Sequence, residues 1–378
     1  MLFREIVGQE KIIEELARSY RNGRVSHCQL FSGAQGSGTL PLAIAYARLV
    51  LCGENSSSGN SCGLKISELK HPDLHFIYPV ANNLDIKSKA ISVNFLPQWR
   101  EFIHSNAYGS LYDWHLSIGI ENKQGKIGVD EVSDIFKKMS LKPYEGGWKV
   151  AIIWMAEKMN LSATNKLLKL IEEPPDKTLF VFVSEDPSSL TETLISRCQI
   201  IKLKKLSSEK ISKELISRGY SSEEARAASM HSSGDFNKAL KAVGNKEEEN
   251  VFEEWFLSWV RSAFKVRTNK EAVIELVSWS KALSKKGRET QKSFITFALE
   301  LFRQALLKNY FLNELTVFSP KTDFNFEAFS EFITGQNIEE ISQELEKAYY
   351  NIQSNGNSNM IFMDLSLKLT RLIHKSRF

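Results

Sequence analysis

Two hydrophobic rhythms run along this chain, and where they change marks its organisation. Between residues 26 and 203, short continuous apolar runs alternate with stretches whose apolar residues recur every three or four positions. Lys149–Trp154 (KVAIIW) and Thr178–Ser184 (TLFVFVS) show no polar alternation, the pattern of strands covered on both faces in a parallel sheet. Residues 26–32 (SHCQLFS), 71–77 and 199–203 predict shorter strands. A helix is predicted where Ile12, Ile13, Leu16 and Tyr20 share a face. A second covers residues 42–50, with Pro41 in its first turn, where the missing N–H has no intrahelical acceptor to lose. Val132, Ile135, Phe136 and Met139 form a third helical face, and residues 161–173 a helix closed by Pro174 and Pro175. Residues 190–196 read as a short helical turn. Strand and helix in alternation predict an α/β domain, a parallel sheet with helices on both faces.

Residues 82–125 carry a weaker signal. Phe95, Trp99, Phe102 and Ile103 have helical spacing, and Trp114 and Leu116 start another helical pattern. After residue 206 no strand pattern appears. Residues 207–219, 222–232 and 235–243 predict three short helices, and 252–264, 270–283, 290–309, 338–353 and 360–374 predict an all-helical remainder. Residues 53–61 and 354–359 read as polar loops and 244–250 as a charged linker. The expected domains are therefore 1–206, 207–245 and 246–378.

Composition narrows the class. The chain has 378 residues, 42% apolar and 25% charged, which is ordinary for soluble globular domains. No apolar run approaches the roughly 18 residues of a membrane span. Met1-Leu2-Phe3-Arg4-Glu5 lacks the blocks of a signal peptide. Cys28, Cys52, Cys62 and Cys198 are too few and too scattered for a disulfide framework. A reducing, cytoplasmic location is expected, without membrane contact. A net charge of +4 permits nucleic-acid binding without requiring it.

The candidate chemistry centres on residues 30–40, LFSGAQGSGTL. Gly33 and Gly38 frame a G-x-x-x-x-G phosphate loop, with Gly36 between them, set after a strand pattern and before a helical one. A working loop follows its last glycine with Lys, whose ammonium holds the β/γ-phosphates, and Ser or Thr, whose hydroxyl helps hold Mg²⁺. Here those positions are Thr39 and Leu40. The frame can turn the backbone, and its amides can attract a phosphate or sulfate. The cation and the metal contact are missing.

Three further stretches join this loop and the opening Val7-Gly8-Gln9-Glu10: Asn165–Pro175 (NKLLKLIEEPP), Ser196-Arg197-Cys198, and Ser233–Leu240 (SGDFNKAL). Together they resemble the bacterial clamp-loader subunits of the AAA+ class, of the δ′ type found with DNA polymerase III. The likeness covers residues 1–243, and in the helical part mainly the last forty residues. It implies an AAA+ domain, a three-helix lid and an all-α collar domain. Against the hydrolysing members there are three departures. Thr39 and Leu40 are the first. Trp154-Met155 stand where active members carry Asp-Glu, and neither an indole nor a thioether binds a hard cation. Asn237 stands where the lid's sensor arginine is expected. Arg197 survives, and the resemblance implies that it reaches a neighbouring subunit's ATP as an arginine finger. By residue type alone, Arg197 reads as a surface salt-bridge arginine; the motif around it favours the finger. Ser196 and Cys198 are read as shaping the turn, with no partnered histidine to make Cys198 a nucleophile.

The resemblance also implies four zinc cysteines near Cys52 and Cys62. The third and fourth fall near Lys65 and Glu68, so zinc is not expected even with His71 and His75 nearby, and free thiols flanking a loop are. Lys169, Glu172 and Glu173 read either as an interface or as an exposed charged face. Lys137-Lys138 and Lys204-Lys205 read either as DNA contacts or as solvated surface. The expected function is a non-hydrolysing clamp-loader subunit without a cofactor of its own. Its expected partners are ATPase subunits and a clamp-opening subunit, with sliding clamp and primed DNA met through the complex. The alternatives are an active P-loop ATPase using Glu157 or Asp130 for metal, and a non-enzymatic DNA-binding module.

Overall fold

A computed structural model describes the chain except residues 55–60, 121, 146, 245–246, 313–315, 317, 319, 321 and 376–378, and the side chains of 247–250. Five strands, β1 (Cys28–Ser32), β2 (Leu74–Ile77), β3 (Lys149–Trp154), β4 (Thr178–Ser184) and β5 (Gln199–Lys202), form one sheet in the order β2-β3-β4-β1-β5. Every pairing is parallel. Side chains alternate between the faces of a strand, and here both faces are covered. Phe31, Ile152, Trp154, Leu179, Val181 and Val183 belong to a core shared with the helices Thr39–Cys52, Leu96–Asn106 and Leu111–Ser117. Leu30, Ala151, Ile153, Phe180 and Phe182 belong to a second core, shared with Val129–Ser140 and Leu161–Glu172. The unbroken apolar runs of β3 and β4 follow directly from this two-sided burial.

The difficult stretch, 82–125, is an aromatic plug on the first face. Trp99 is fully buried, stacks on Tyr78 at 4.0 Å and meets Trp114 edge-on and Trp154 obliquely, each at 5.2 Å. The Trp114 indole donates to the Pro79 carbonyl at 2.8 Å, so its polar edge is satisfied inside the core. Three expectations need correction. Phe136 is 40% exposed and does not share the buried face of Val132, Ile135 and Met139. Ser61, placed in a loop, begins a helix, Ser61–Ser67; residues 55–60 of that expected loop lie outside the described residues, as do 245–246 of the expected linker. Cys52 and Cys62 are not free thiols but a disulfide with Cα atoms 5.8 Å apart, because the two helix ends that carry them meet.

The chain divides into two compact units, residues 1–120 with 125–240, and residues 121–124 with 241–378. The helices Ser208–Ser217, Ser222–His231 and Phe236–Gly244 lie mostly within the first, beside the sheet. The second is built from the helices Glu247–Lys265, Ala272–Ser284, Arg288–Asn309, Ile338–Gln353 and Ser358–Leu372, with a short helix, Phe326–Ser330, that the hydrophobic pattern does not announce. Its core is aromatic. Trp259 stacks on Trp279 at 5.1 Å and donates its indole N–H to Ser366 Oγ at 2.9 Å. Among the described residues no helix is long and apolar enough to cross a membrane.

Candidate functional site

The glycine loop leaves β1 at its carboxyl end. The Gly33 amide donates to the Ser184 carbonyl of β4 at 3.2 Å, and the Ser37 amide closes the turn on the Ala34 carbonyl at 3.1 Å. Gly36 (φ +70°) and Gly38 (φ +95°) take the left-handed conformations that glycine adopts without strain. Gly38 then caps the helix Thr39–Cys52. So Gly33, Gly36, Gly38 and Thr39 do form a strand–loop–helix cradle. Thr39 and Leu40 are both buried in the first turn.

What packs against that cradle is the start of the helix Phe236–Gly244. A Cβ on Gly36 would stand 1.8 Å from Asp235 Oδ1, and the Phe236 amide donates to the Gly36 carbonyl at 3.2 Å. Asp235 caps the helix Phe236–Gly244 by accepting from the Lys238 amide at 3.1 Å. Desolvation pushes its carboxyl above the ordinary range, against the lowering effect of that bond and of the Lys238 charge. A carboxyl group therefore packs against the backbone of the loop at Gly36. Tyr108 closes the other side. Its ring lies 3.1 Å from where a Gly38 Cβ would be, meets Phe236 edge-on at 4.8 Å, and its hydroxyl accepts from the Val7 amide at 2.8 Å. Gln9 Nε2 donates to the Ser37 and Lys204 carbonyls, at 3.2 and 2.7 Å, so the opening V-G-Q-E segment also fastens the loop. The Ser37 hydroxyl is buried without a hydrogen-bond partner among the described residues, which leaves one side-chain donor inside the loop for a small anion.

The other departures have equally definite places. Trp154 and Met155 are 2% exposed and belong to the core, Trp154 in the aromatic plug and Met155 in a left-handed turn (φ +54°). Asn237 is buried, donates to Asp113 Oδ2 at 2.8 Å and accepts from Asn106 at 2.5 Å, which spends its side chain on holding the lid helix. Glu157 is half-buried with a carboxyl pushed upward, first by desolvation, and accepts from the Glu185 amide at 3.3 Å. Asp130 is exposed in the first turn of Val129–Ser140, a helix on the sheet face opposite the loop helix. Trp154 and Met155 are thus spent on core packing, Asn237 on hydrogen bonds within the chain, and Glu157 and Asp130 belong to different elements. The zinc set fares no better. The Cys52 and Cys62 sulfurs and a His71 ring nitrogen lie within 4.8 Å of one another, but Lys65 pairs with Glu145 and Glu68 with Lys70. His71 spends Nε2 on Glu145 at 3.1 Å and Nδ1 on the Asp73 amide at 3.1 Å. A structural zinc wants four free ligands, and the donors here are paired or bonded to each other.

Arg197 lies at the other end of the sheet. Gln199 opposes Gln29 in the β1–β5 register, so Arg197 sits beside the start of β1 while the loop leaves its end. At about 3.3 Å per residue, roughly 15 Å of strand separates them. Its guanidinium donates to the Thr193 carbonyl at 2.8 Å and pairs with Glu172 at 2.7 Å. The S-R-C turn and the N-K-L-L-K-x-x-E-E-P-P helix thus meet through one ion pair. Ser196 Oγ bonds the Thr193 carbonyl at 3.2 Å, and the Cys198 amide bonds the Ile195 carbonyl at 3.1 Å, which shapes the turn that presents Arg197. Sequence reasoning gave no role to Asp235 or Tyr108. Asp235 stood inside a quoted motif, but its contact with Gly36 joins residues about two hundred apart and leaves no local signal.

The profile of the family described as DNA polymerase III, delta subunit, matches residues 8–207, more than half of the chain. The chain belongs to that family. It is 28% identical over 222 residues to the DNA polymerase III subunit delta' of Bacillus subtilis, covering 58% of this chain and 54% of that one. It is 29% identical over 209 residues to the subunit tau of the same organism, covering 55% of this chain and 30% of that one. The chain thus spans about half the length of the first relative and less than a third of the second. A DNA polymerase III gamma subunit-related protein of Thermotoga maritima aligns over 96% of this chain and 99% of its own, at 14% identity and a TM-score of 0.41. The matched residues span the parallel sheet, and an all-helical region follows them.

Proposed function

We propose that the chain is the δ′-like, non-hydrolysing subunit of a replicative clamp loader. The observation that carries the reading is the burial of Thr39, Leu40, Trp154, Met155 and Asn237 at the positions where hydrolysing members keep the lysine, the hydroxyl, the metal ligands and the sensor arginine. Phosphoryl transfer depends on positioning and on opposite charge around the γ-phosphate. Here the loop's cation, metal ligands and sensor arginine are replaced by Thr39, Leu40, Trp154, Met155 and Asn237, and an acidic group faces the cradle. The chain has no nucleotide cofactor of its own on this reading, and its loop accepts at most a small anion such as phosphate. Arg197, at the far edge of the sheet, serves the ATP of a neighbouring subunit. Residues 1–206 are the AAA+ domain, 207–245 the lid and 246–378 the collar that joins the ATPase subunits and the clamp-opening subunit. The complex places the sliding clamp on primed DNA, in the cytoplasm.

The test has two arms. The isolated chain is expected to release no phosphate from Mg²⁺-ATP; magnesium-dependent turnover that follows the pure protein overturns the reading. In the reconstituted complex, Arg197→Ala is expected to lower DNA-stimulated ATPase by about tenfold or more at the site it serves, arginine fingers being worth ~10³–10⁵ in rate. Glu172→Ala removes the same ion pair and keeps the arginine, so its ATPase should stay near wild type. Equal losses in both variants would assign Arg197 a structural task instead.

A further inference from the structure

Cys28 and Cys198 are 170 residues apart in sequence, and their sulfurs lie 2.9 Å apart. Both are free thiols. Cys28 opens β1 and is fully buried, while Cys198 stands one residue before β5, half-buried, directly after Arg197. The register makes them neighbours, since Gln29 opposes Gln199 and the preceding residue of each strand is a cysteine. Both side chains belong to the same core layer, on the face covered by Leu161–Glu172. Adjacent strands run about 4.8 Å apart, inside the roughly 4.4–6.8 Å between Cα atoms that a disulfide spans.

We infer that Cys28 and Cys198 form a dithiol oxidation site, closed to a disulfide by a hydroperoxide arriving at Cys198. The sulfurs divide the work by position. Cys198 is the one solvent reaches. The Cys198 thiolate attacks one peroxide oxygen; the S–O bond forms, the O–O bond breaks, and the departing hydroxide takes a proton as water. The Cys28 sulfur then attacks the Cys198 sulfenic acid; the S–S bond forms, the S–O bond breaks, and the second hydroxide leaves as water with the Cys28 proton. Two thiols and one hydrogen peroxide become one disulfide and two waters, a two-electron oxidation. Cys28 suits the second step. Its sulfur already lies 2.9 Å from that of Cys198, and its proton leaves with the hydroxide as it attacks, which offsets an ionisation pushed upward first by the hydrogen bond with Cys198 and then by burial. The cross-link fixes the backbone one residue after Arg197, with Arg197 on Glu172. That consequence for a neighbour's ATP rests on the finger reading above; the oxidation site does not.

The full chain, reduced and freed of reductant, is treated with hydrogen peroxide, blocked with iodoacetamide and digested without reduction. A peptide pair joined through Cys28 and Cys198 is expected, two hydrogens lighter than the separate thiols, and lost on dithiothreitol treatment. With Cys28→Ala the link disappears, and dimedone should trap Cys198 as its sulfenic acid. A Cys52→Ser/Cys62→Ser variant should keep the link. The inference is overturned if Cys28 stays open to alkylation after denaturation while Cys198 proceeds to sulfinic acid, bonds to Cys52 or Cys62, or does not react. In the reconstituted complex, oxidised chain should lower ATPase reversibly with dithiothreitol. A linked peptide with unchanged ATPase leaves the oxidation site standing and removes only its effect on Arg197.

Discussion

Glu131 lies inside the first unit, 4% exposed, with one carboxylate oxygen accepting from both the amide and the hydroxyl of Ser92, the latter at 2.8 Å. Desolvation dominates these two bonds and pushes its carboxyl up to about 7. A folded value above the unfolded one means that the folded chain holds the proton more tightly. Stability is therefore full below about 4.5 and is lost as pH rises through about 7. Gln at this position keeps the acceptor and carries no charge. Glu131→Gln should raise stability at pH 8 by about 2–3 kcal/mol, from 1.36 kcal/mol per unit, and leave it nearly unchanged at pH 4.5, measured by urea unfolding at the two pH values. His75 works in the opposite sense. Desolvation first, then Lys138 and Lys149, lower it to about 4, so its neutral burial costs stability as pH falls below 6.5. The comparison of wild type and variant at one pH cancels that contribution.

At the scale of elements, the lid helix Phe236–Gly244 is held to the loop by few contacts, each identifiable. Gly36→Ala tests them together. The new methyl would sit 1.8 Å from Asp235 Oδ1, on a backbone with φ +70° that L-residues adopt at a cost of about 1–2 kcal/mol. The lid helix should detach first, seen as faster amide exchange at Phe236 and Lys238 with β3 and β4 still protected. Asn237→Ala attacks the same contact from the far side by removing the acceptor of the Asn106 side-chain amide. It should cost about 1–3 kcal/mol, the price of a buried polar group losing its partner. Which elements a sequence reveals follows the same physics. β3 and β4 are legible because covering both faces forces an unbroken apolar run. The S-R-C turn and the N-K-L-L-K-x-x-E-E-P-P helix are legible as motifs, while their meeting at Arg197 and Glu172 is tertiary. In residues 82–125 the helical spacing of Trp99, Phe102 and Ile103 shows the helix Leu96–Asn106, while the stacking of Trp99 on Tyr78 and its edge contact with Trp114 are tertiary and leave no local signal. Ser61–Ser67 hides behind serine and glycine neighbours, and its disulfide becomes visible only when Cys62 faces Cys52.

For the whole molecule, the question is whether the proposed absence of hydrolysis rests on one departure or several. Thr39→Lys with Leu40→Thr restores the loop's side chains on paper. Three other features stay as they are: Trp154 and Met155 remain core residues 2% exposed, Asn237 remains bonded to Asp113, and Asp235 remains against Gly36. A hard cation needs oxygen ligands that Trp154 and Met155 cannot give. Leu40, itself 2% exposed, would exchange core packing for a buried hydroxyl, which costs stability unless it finds a partner. The double substitution should therefore give no magnesium-dependent phosphate release and a lower unfolding midpoint, read by an ATPase assay and a urea titration on the same preparation. Turnover in this variant would mean that Thr39 and Leu40 alone hold the site silent. Its absence, with Arg197 still supporting ATPase in the complex, would mean that cradle and finger are separable: the strands keep one end closed by the helix Phe236–Gly244 and offer the other to a neighbour.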